Sequence, residues 1–122
     1  MRIIAEILTA IIALEHLYFL WLEMFAWETQ GKKVFKGSLS PELFKPTKTL
    51  AANQGLYNGF LATGLVWTFF ISDESWKLYV AVFFLTCITI AGIYGAFSAS
   101  RKIFFVQALP AIIALILWHF KA

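Results

Sequence analysis

An all-α membrane protein, with four transmembrane helices in an antiparallel up-and-down bundle, is the fold class this sequence predicts, and three observations lead there. The 122 residues are 61% hydrophobic, 18% aromatic and only 14% charged, with a mean hydropathy of +0.77. Soluble domains are ~45–50% apolar and ~25% charged, so this chain lies outside their range. The apolar residues fall into four runs, at about 3–25, 50–71, 76–97 and 103–120. Each is near the ~20 residues that cross ~30 Å of hydrocarbon as a helix. The links at 72–75 and 98–102 are short, which makes the helices they join antiparallel neighbours, and only 26–49 is long. One four-helix transmembrane domain over 1–122 accounts for the whole chain, with both termini on one side.

The formal net charge is +3 and the isoelectric point about 9.1. Such a balance can mark a nucleic-acid binder, but here the cations flank apolar runs, where they set membrane orientation. Nucleic acid is therefore excluded as a partner, and membrane lipids take its place. The side with the long loop and the 98–102 turn carries Lys32, Lys33, Lys36, Lys45, Lys48, Arg101 and Lys102. The opposite side has Arg2, Lys77 and Lys121, offset by Asp73 and Glu74. By the positive-inside rule the loop 26–49 is cytoplasmic and both termini are outside. The lone Cys87 lies within an apolar run, so no intramolecular disulfide, zinc site or iron–sulfur site is expected. The first apolar run is longer than a signal-peptide core and lacks a small-x-small cleavage site before Trp27, so it should be retained.

The first helix contains EHLYFLWLEMFAW, residues 15–27. Glu6 and Glu23 lie near its ends, within reach of the interfaces. Glu15 and His16 lie near its middle, where ionisable groups are costly and face a protein interior or a wet cavity. Thr9, His16 and Glu23 recur every seven residues, and seven residues fall within ~20° of two full turns, so they form one stripe. Glu15 is rotated by ~100° from His16 and need not share that stripe. A structural account is also open: Glu23 snorkels to the interface and His16 donates to a backbone carbonyl.

In the loop, Ser40-Pro41-Glu42 reads as a helix start, with a hydroxyl cap followed by a proline at the first turn. Leu39, Leu43 and Phe44 beside lysines predict a short interfacial helix, acting as an anchor or as a cover over a cavity mouth. The second helix opens with LAANQGLYNG, residues 50–59, and enters from the side on which the first helix ends. Counting ~1.5 Å per residue puts Asn58 near the depth of Glu15 and His16, and Asn53 and Gln54 near that of Glu23. Gln54 and Asn58 share one face, Asn53 and Tyr57 the next. Ala51, Gly55, Gly59 and Thr63 form a small-residue stripe for close helix approach.

The third helix offers a second small-residue face, Cys87, Ala91, Gly95 and Ala99, and reads as a packing helix. In the fourth, Gln107 lies about one turn in. Pro110 removes the bond to the Val106 carbonyl and predicts a kink just below Gln107. His119 with Trp118 belongs to the interfacial belt at the outer end, too far from His16 to share a metal or haem.

The run ALEHLYFLWLEMFAW, the loop GKKVF followed by a Ser-Pro-Glu turn, and LAANQGLYNGF resemble the signature of a bacterial family of small integral membrane proteins, domain-of-unknown-function family 1304. The resemblance covers essentially the whole chain. It implies a four-helix protein of the bacterial inner membrane and places Glu15, His16, Tyr18, Glu23, Trp27, Asn53, Gln54, Tyr57 and Asn58 in two signature blocks. It assigns no role to any of them.

The residues themselves predict a polar pocket inside the bundle, open to the cytoplasm and lined by Glu15, His16, Glu23, Asn53, Gln54, Tyr57, Asn58 and Gln107. Tyr18, Trp21 and Trp67 would complete its walls. A neighbouring carboxyl and imidazole can exchange a proton near neutral pH. Three classes of function follow: binding or transport of a small amphipathic or cationic solute by Glu/His protonation; a membrane enzyme using Glu15 or His16 as general acid or base on a lipid-like substrate; or a structural partner subunit. No serine elbow, reactive thiol or metal-ligand spacing is present in the sequence, and no cofactor is expected. A homodimer through one of the small-residue faces is a further expectation.

Overall fold

A computed structural model describes residues 1–120; Lys121, one of the cations assigned to the outer side, lies outside the described residues. Among the described residues every regular element is helical. The helices are α1 (Arg2–Phe25), α2 (Gln30–Val34), α3 (Lys48–Thr68), α4 (Glu74–Ser98) and α5 (Leu109–His119). A 3-10 turn occupies Pro41–Leu43, and a π-helical segment, Phe104–Ala108, runs directly into α5. Helix α4 has the plainest start: the Asp73 carboxylate accepts from the Trp76 backbone N–H at 2.9 Å, satisfying a donor that the first turn leaves orphaned.

The four long elements form a closed ring in which α1 packs on α3, α3 on α4, α4 on the π-segment and α5, and α5 on α1. Residues at matching ends fix the directions. Arg2 pairs with Glu74 at 2.6 Å and Lys77 with Glu6 at 3.0 Å, which brings the starts of α1 and α4 together. The Arg2 guanidinium also lies 4.8 Å from the centre of the Trp118 ring, which adds the end of α5. The core between the helices is built from Ala5, Ile12, Leu65, Leu85, Ile88, Ala111, Ala114 and Trp118. Alanines are interspersed there with larger side chains, and glycines mark where the helices approach closely. Cβ atoms on Gly55 and Gly92 would meet the Leu20 carbonyl oxygen at 3.2 Å and the Ala108 backbone nitrogen at 2.6 Å respectively.

Two helices, α1 and α4, are long and apolar enough to cross a membrane. Helix α3 has the length but carries Asn53, Gln54 and Asn58 in its first half, and the apolar stretch Phe104–His119 is shorter.

Several local expectations need correction. On α3 the buried alanines and glycines are Ala51, Gly55, Gly59, Ala62 and Gly64, while Thr63 is exposed. Steps of four residues advance ~400°, so a strict four-residue stripe drifts ~40° per step away from its neighbour. The same drift moves the α4 seam to Ala81, Leu85, Ile88 and Gly92, leaving Ala91 and Ala99 exposed. In the loop, Ser40 stands before the 3-10 turn without a side-chain cap bond, and Phe44 is turned inward, 1% exposed. Helix α2 was not anticipated; Gly31 within it lets the chain fold back under Trp27. Trp27 then packs on Phe35 and Phe44, with ring centres 5.4 and 4.9 Å away, and its indole N–H donates to the Thr47 hydroxyl at 3.0 Å.

Candidate functional site

The stripe of Thr9, His16 and Glu23 faces the interior of the bundle, and all three side chains are buried. Each is bonded to a different part of the ring. At the loop end, both oxygens of Glu23 accept hydrogen bonds from α3: Oε2 from the Gln54 amide at 2.8 Å and Oε1 from the Asn58 amide at 2.5 Å. Gln54 and Asn58 lie one turn apart, so their amides straddle a carboxylate at that depth. The contact is close because Gly55, between them, packs directly against Glu23 and Met24. Glu23 is only 4% exposed, and no cation lies within ion-pair reach of it among the described residues.

Two turns further along α1, His16 is fully buried. Its Nδ1 lies 2.9 Å from the Ile12 carbonyl oxygen, which can only accept, so Nδ1 carries a proton. The other nitrogen, Nε2, faces the side-chain nitrogen of Gln107 at 3.1 Å. With Nδ1 protonated, neutral His16 accepts there from the Gln107 amide. A rotated Gln107 would instead offer its oxygen to a protonated imidazole, so the same pair can serve both charge states. Gln107 lies in the π-segment, where the Leu109 backbone N–H donates to the Phe104 carbonyl. Pro110 follows without an N–H, and the disruption expected near it takes the form of this wider turn rather than a simple kink.

Glu15 is half-buried beside His16. Its Oε1 is 4.0 Å from Nδ1, whose proton is already given to Ile12, and that oxygen is buried without a hydrogen-bond partner among the described residues. Asn53 and Tyr57 face outward, as do Tyr18, Trp21 and Trp67. The predicted lining residues thus meet as two separate groups, Glu23 with Gln54 and Asn58, and His16 with Gln107 and Glu15 alongside. Two surface clefts of about 550 and 380 Å³ lie at His119, and none of the predicted site residues lines either of them. The third contact of the stripe was missed: the Trp118 indole N–H donates to the Thr9 hydroxyl at 2.9 Å, and that hydroxyl donates to the Ala5 carbonyl at 2.7 Å. The signal was available, since Thr9 opens the seven-residue stripe and a buried indole needs an acceptor. Among the described residues no cluster of His, Cys, Asp and Glu has the grouping needed to hold a metal ion.

Comparison with known proteins agrees with the resemblance noted in the sequence. The profile of the family described as protein of unknown function, DUF1304, matches residues 10–119. The chain is 34% identical over 117 residues to the uncharacterized protein YpaA of Lactococcus lactis subsp. lactis strain IL1403, covering 95% of this chain and 97% of that protein. No solved structure matches it. A match over nearly the whole length, with a relative of the same extent, establishes that the chain belongs to the DUF1304 family.

Proposed function

We propose that this chain is a four-span membrane protein that binds a small cationic or amphipathic solute in exchange for a proton, with Glu23 as the exchange site and His16 with Glu15 as a deeper station. Support for spanning comes from what the ring leaves outside. Ile7, Leu14, Phe60, Phe83 and Ile113 are all well exposed, and only 28% and 22% of the most apolar windows of α1 and α4 are buried. In water each such side chain would forgo ~1.5–3 kcal/mol of burial, whereas lipid removes that penalty.

The observation that carries the exchange reading is the Glu23 carboxyl, enclosed and held by two neutral amides. Amides orient a carboxylate but do not cancel its charge, so charge balance comes from a proton or from a cationic ligand. The two compete for the same oxygens. Approach of a solute from the α3 side fits the exposure of Gln54, which is bonded to Glu23. His16 and Gln107 lie ~10 Å deeper, a spacing that one intervening water chain or a moving solute can bridge.

A structural reading has its own support: Thr9–Trp118, His16–Gln107 and Glu23–Asn58 each tie α1 to another element, as register-fixing contacts would. Acid–base turnover at Glu15 and His16 is less well supported, because Nδ1 is committed to Ile12. Sealed vesicles containing the protein and an internal pH dye separate these readings. Methyl viologen, ethidium or spermidine added outside should alkalinise the lumen, and Glu23→Gln should abolish the response while the protein stays monodisperse. No response to any of the three probes, or an unchanged rate in Glu23→Gln, overturns the proposal.

A further inference from the structure

The two ends of the bundle treat their charges differently. At the end holding both helix starts, the side-chain cations among the described residues are paired: Arg2 with Glu74 and Trp118, Lys77 with Glu6. At the loop end, Lys32, Lys33, Lys36, Lys45, Arg101 and Lys102 are exposed and form no ion pair among the described residues, and Lys48 has only Glu28 at 3.8 Å. Glu28 and Glu42 are the acids there, so cations outnumber them.

These cations are not carried on a slack connection. The stacking of Trp27 on Phe35 and Phe44, the Trp27 bond to Thr47 and the buried Gly31 fold the loop into a cap over the ends of α1 and α3. Val34 and Leu43 are 41% and 42% exposed on the same cap, interleaved with the lysines. Cations at headgroup height with apolar side chains between them match the charged and hydrocarbon layers of a bilayer surface.

We propose that this loop-end face is a binding site for anionic phospholipid headgroups, which supply the counter-charge that the protein itself withholds. The proposal rests on the membrane-spanning reading, and its test keeps the two apart. The full chain is reconstituted into dioleoylphosphatidylcholine vesicles, and resistance to alkaline carbonate extraction reports spanning. Spin-labelled phosphatidylglycerol and phosphatidylcholine are then compared for the fraction held at the protein boundary.

At low salt phosphatidylglycerol should be favoured by ~3-fold or more, falling to near parity in ~1 M salt, where the Debye length is ~3 Å. The exposed-lysine variant K32Q/K33Q/K36Q/K45Q should lose most of the preference, and K77Q, at the other end, should keep it. Parity for the unaltered protein, or a preference that persists in the fourfold variant or in ~1 M salt, overturns the headgroup site. Protein washed off by carbonate overturns the spanning reading itself.

Discussion

At the scale of single residues, the Glu23–Asn58 contact makes the most testable statement. Asn58→Leu keeps the volume close but leaves Oε1 of a buried carboxyl without a donor, while Gln54 still serves Oε2. A buried group stripped of its partner destabilises by ~1–3 kcal/mol, whereas removing both partners together is nearly neutral. Asn58→Leu should therefore lower the thermal denaturation midpoint in detergent, and Glu23→Leu/Asn58→Leu should sit above Asn58→Leu alone. A double variant equal to the sum of the singles means the two side chains do not interact. Thr9→Val, which orphans the Trp118 N–H, should cost less, nearer the ~0.6 kcal/mol average for an interhelical hydrogen bond in a membrane protein. The seven-residue stripe made Thr9, His16 and Glu23 legible, because a period within ~20° of two turns keeps them on one face whatever the packing. Their partners were only half legible. Depth counting set Gln54 level with Glu23, where it is found, but set Asn58 at the depth of Glu15 and His16, whereas its amide bonds Glu23. Asn53, also placed level with Glu23, points away, and Tyr57 with it, a choice made by the Gly55 seam. Gln107 reaches His16 from a π-turn, and the spacing of apolar residues does not encode a turn of that width.

Elements meet through glycines, and the atoms opposite each one rank their importance. A Cβ on Gly92 would lie 2.6 Å from the Ala108 backbone nitrogen, so backbone must move; one on Gly55 would lie 2.7 Å from Met24 Cγ and 3.2 Å from the Leu20 carbonyl oxygen, so a side chain must move and the backbone give a little. On Gly59 the obstacle is Leu20 Cδ1 at 2.5 Å, the end of a side chain free to change rotamer. Overpacking that shifts backbone costs ~1–3 kcal/mol, against the ~1 kcal/mol that alanine gains over glycine within a helix. Gly92→Ala and Gly55→Ala should thus lower the denaturation midpoint, with Gly92→Ala the worse, and Gly59→Ala should be close to neutral. A Gly59→Ala variant as damaged as Gly92→Ala contradicts the ranking. That α1 and α3 pack along glycines was readable from the sequence, as was the existence of all four long helices. The seam of α4 was not: Ala91 and Gly92 are adjacent, and which of them faces Ala108 depends on how α4 rotates against the π-segment. The loop resisted reading for another reason. Its fold comes from three aromatic side chains far apart in sequence, Trp27, Phe35 and Phe44, and not from a period or a cap.

For the whole molecule the question is how many helices cross the bilayer. Composition singles out α1 and α4 as long and apolar enough to span, and the four-span proposal requires α3 and α5 to lie in the hydrocarbon with them. Helix α3 packs on both α1 and α4, and α5 packs on both as well, so each lies between the two candidate spans along the ring. Two of the three amides that depress the hydropathy of α3 are turned inward, Gln54 and Asn58 donating to Glu23, while Asn53 faces outward. A two-span arrangement and a four-span arrangement then differ in one place. With two spans, everything from residue 26 to 73 lies on one side; with four, the loop at Ser38 and the turn at Ser72 lie on opposite sides. Both serines are exposed. In a Cys87→Ala background, Ser38→Cys and Ser72→Cys can be probed in spheroplasts with a membrane-impermeant maleimide. Ser72→Cys should react in intact spheroplasts and Ser38→Cys only after permeabilisation, as the positive-inside rule predicts for a cation-rich loop end. Equal labelling of the two positions before permeabilisation would place α3 outside the membrane and reduce the ring to two spans. Labelling of Ser38→Cys alone would keep four spans and reverse their direction.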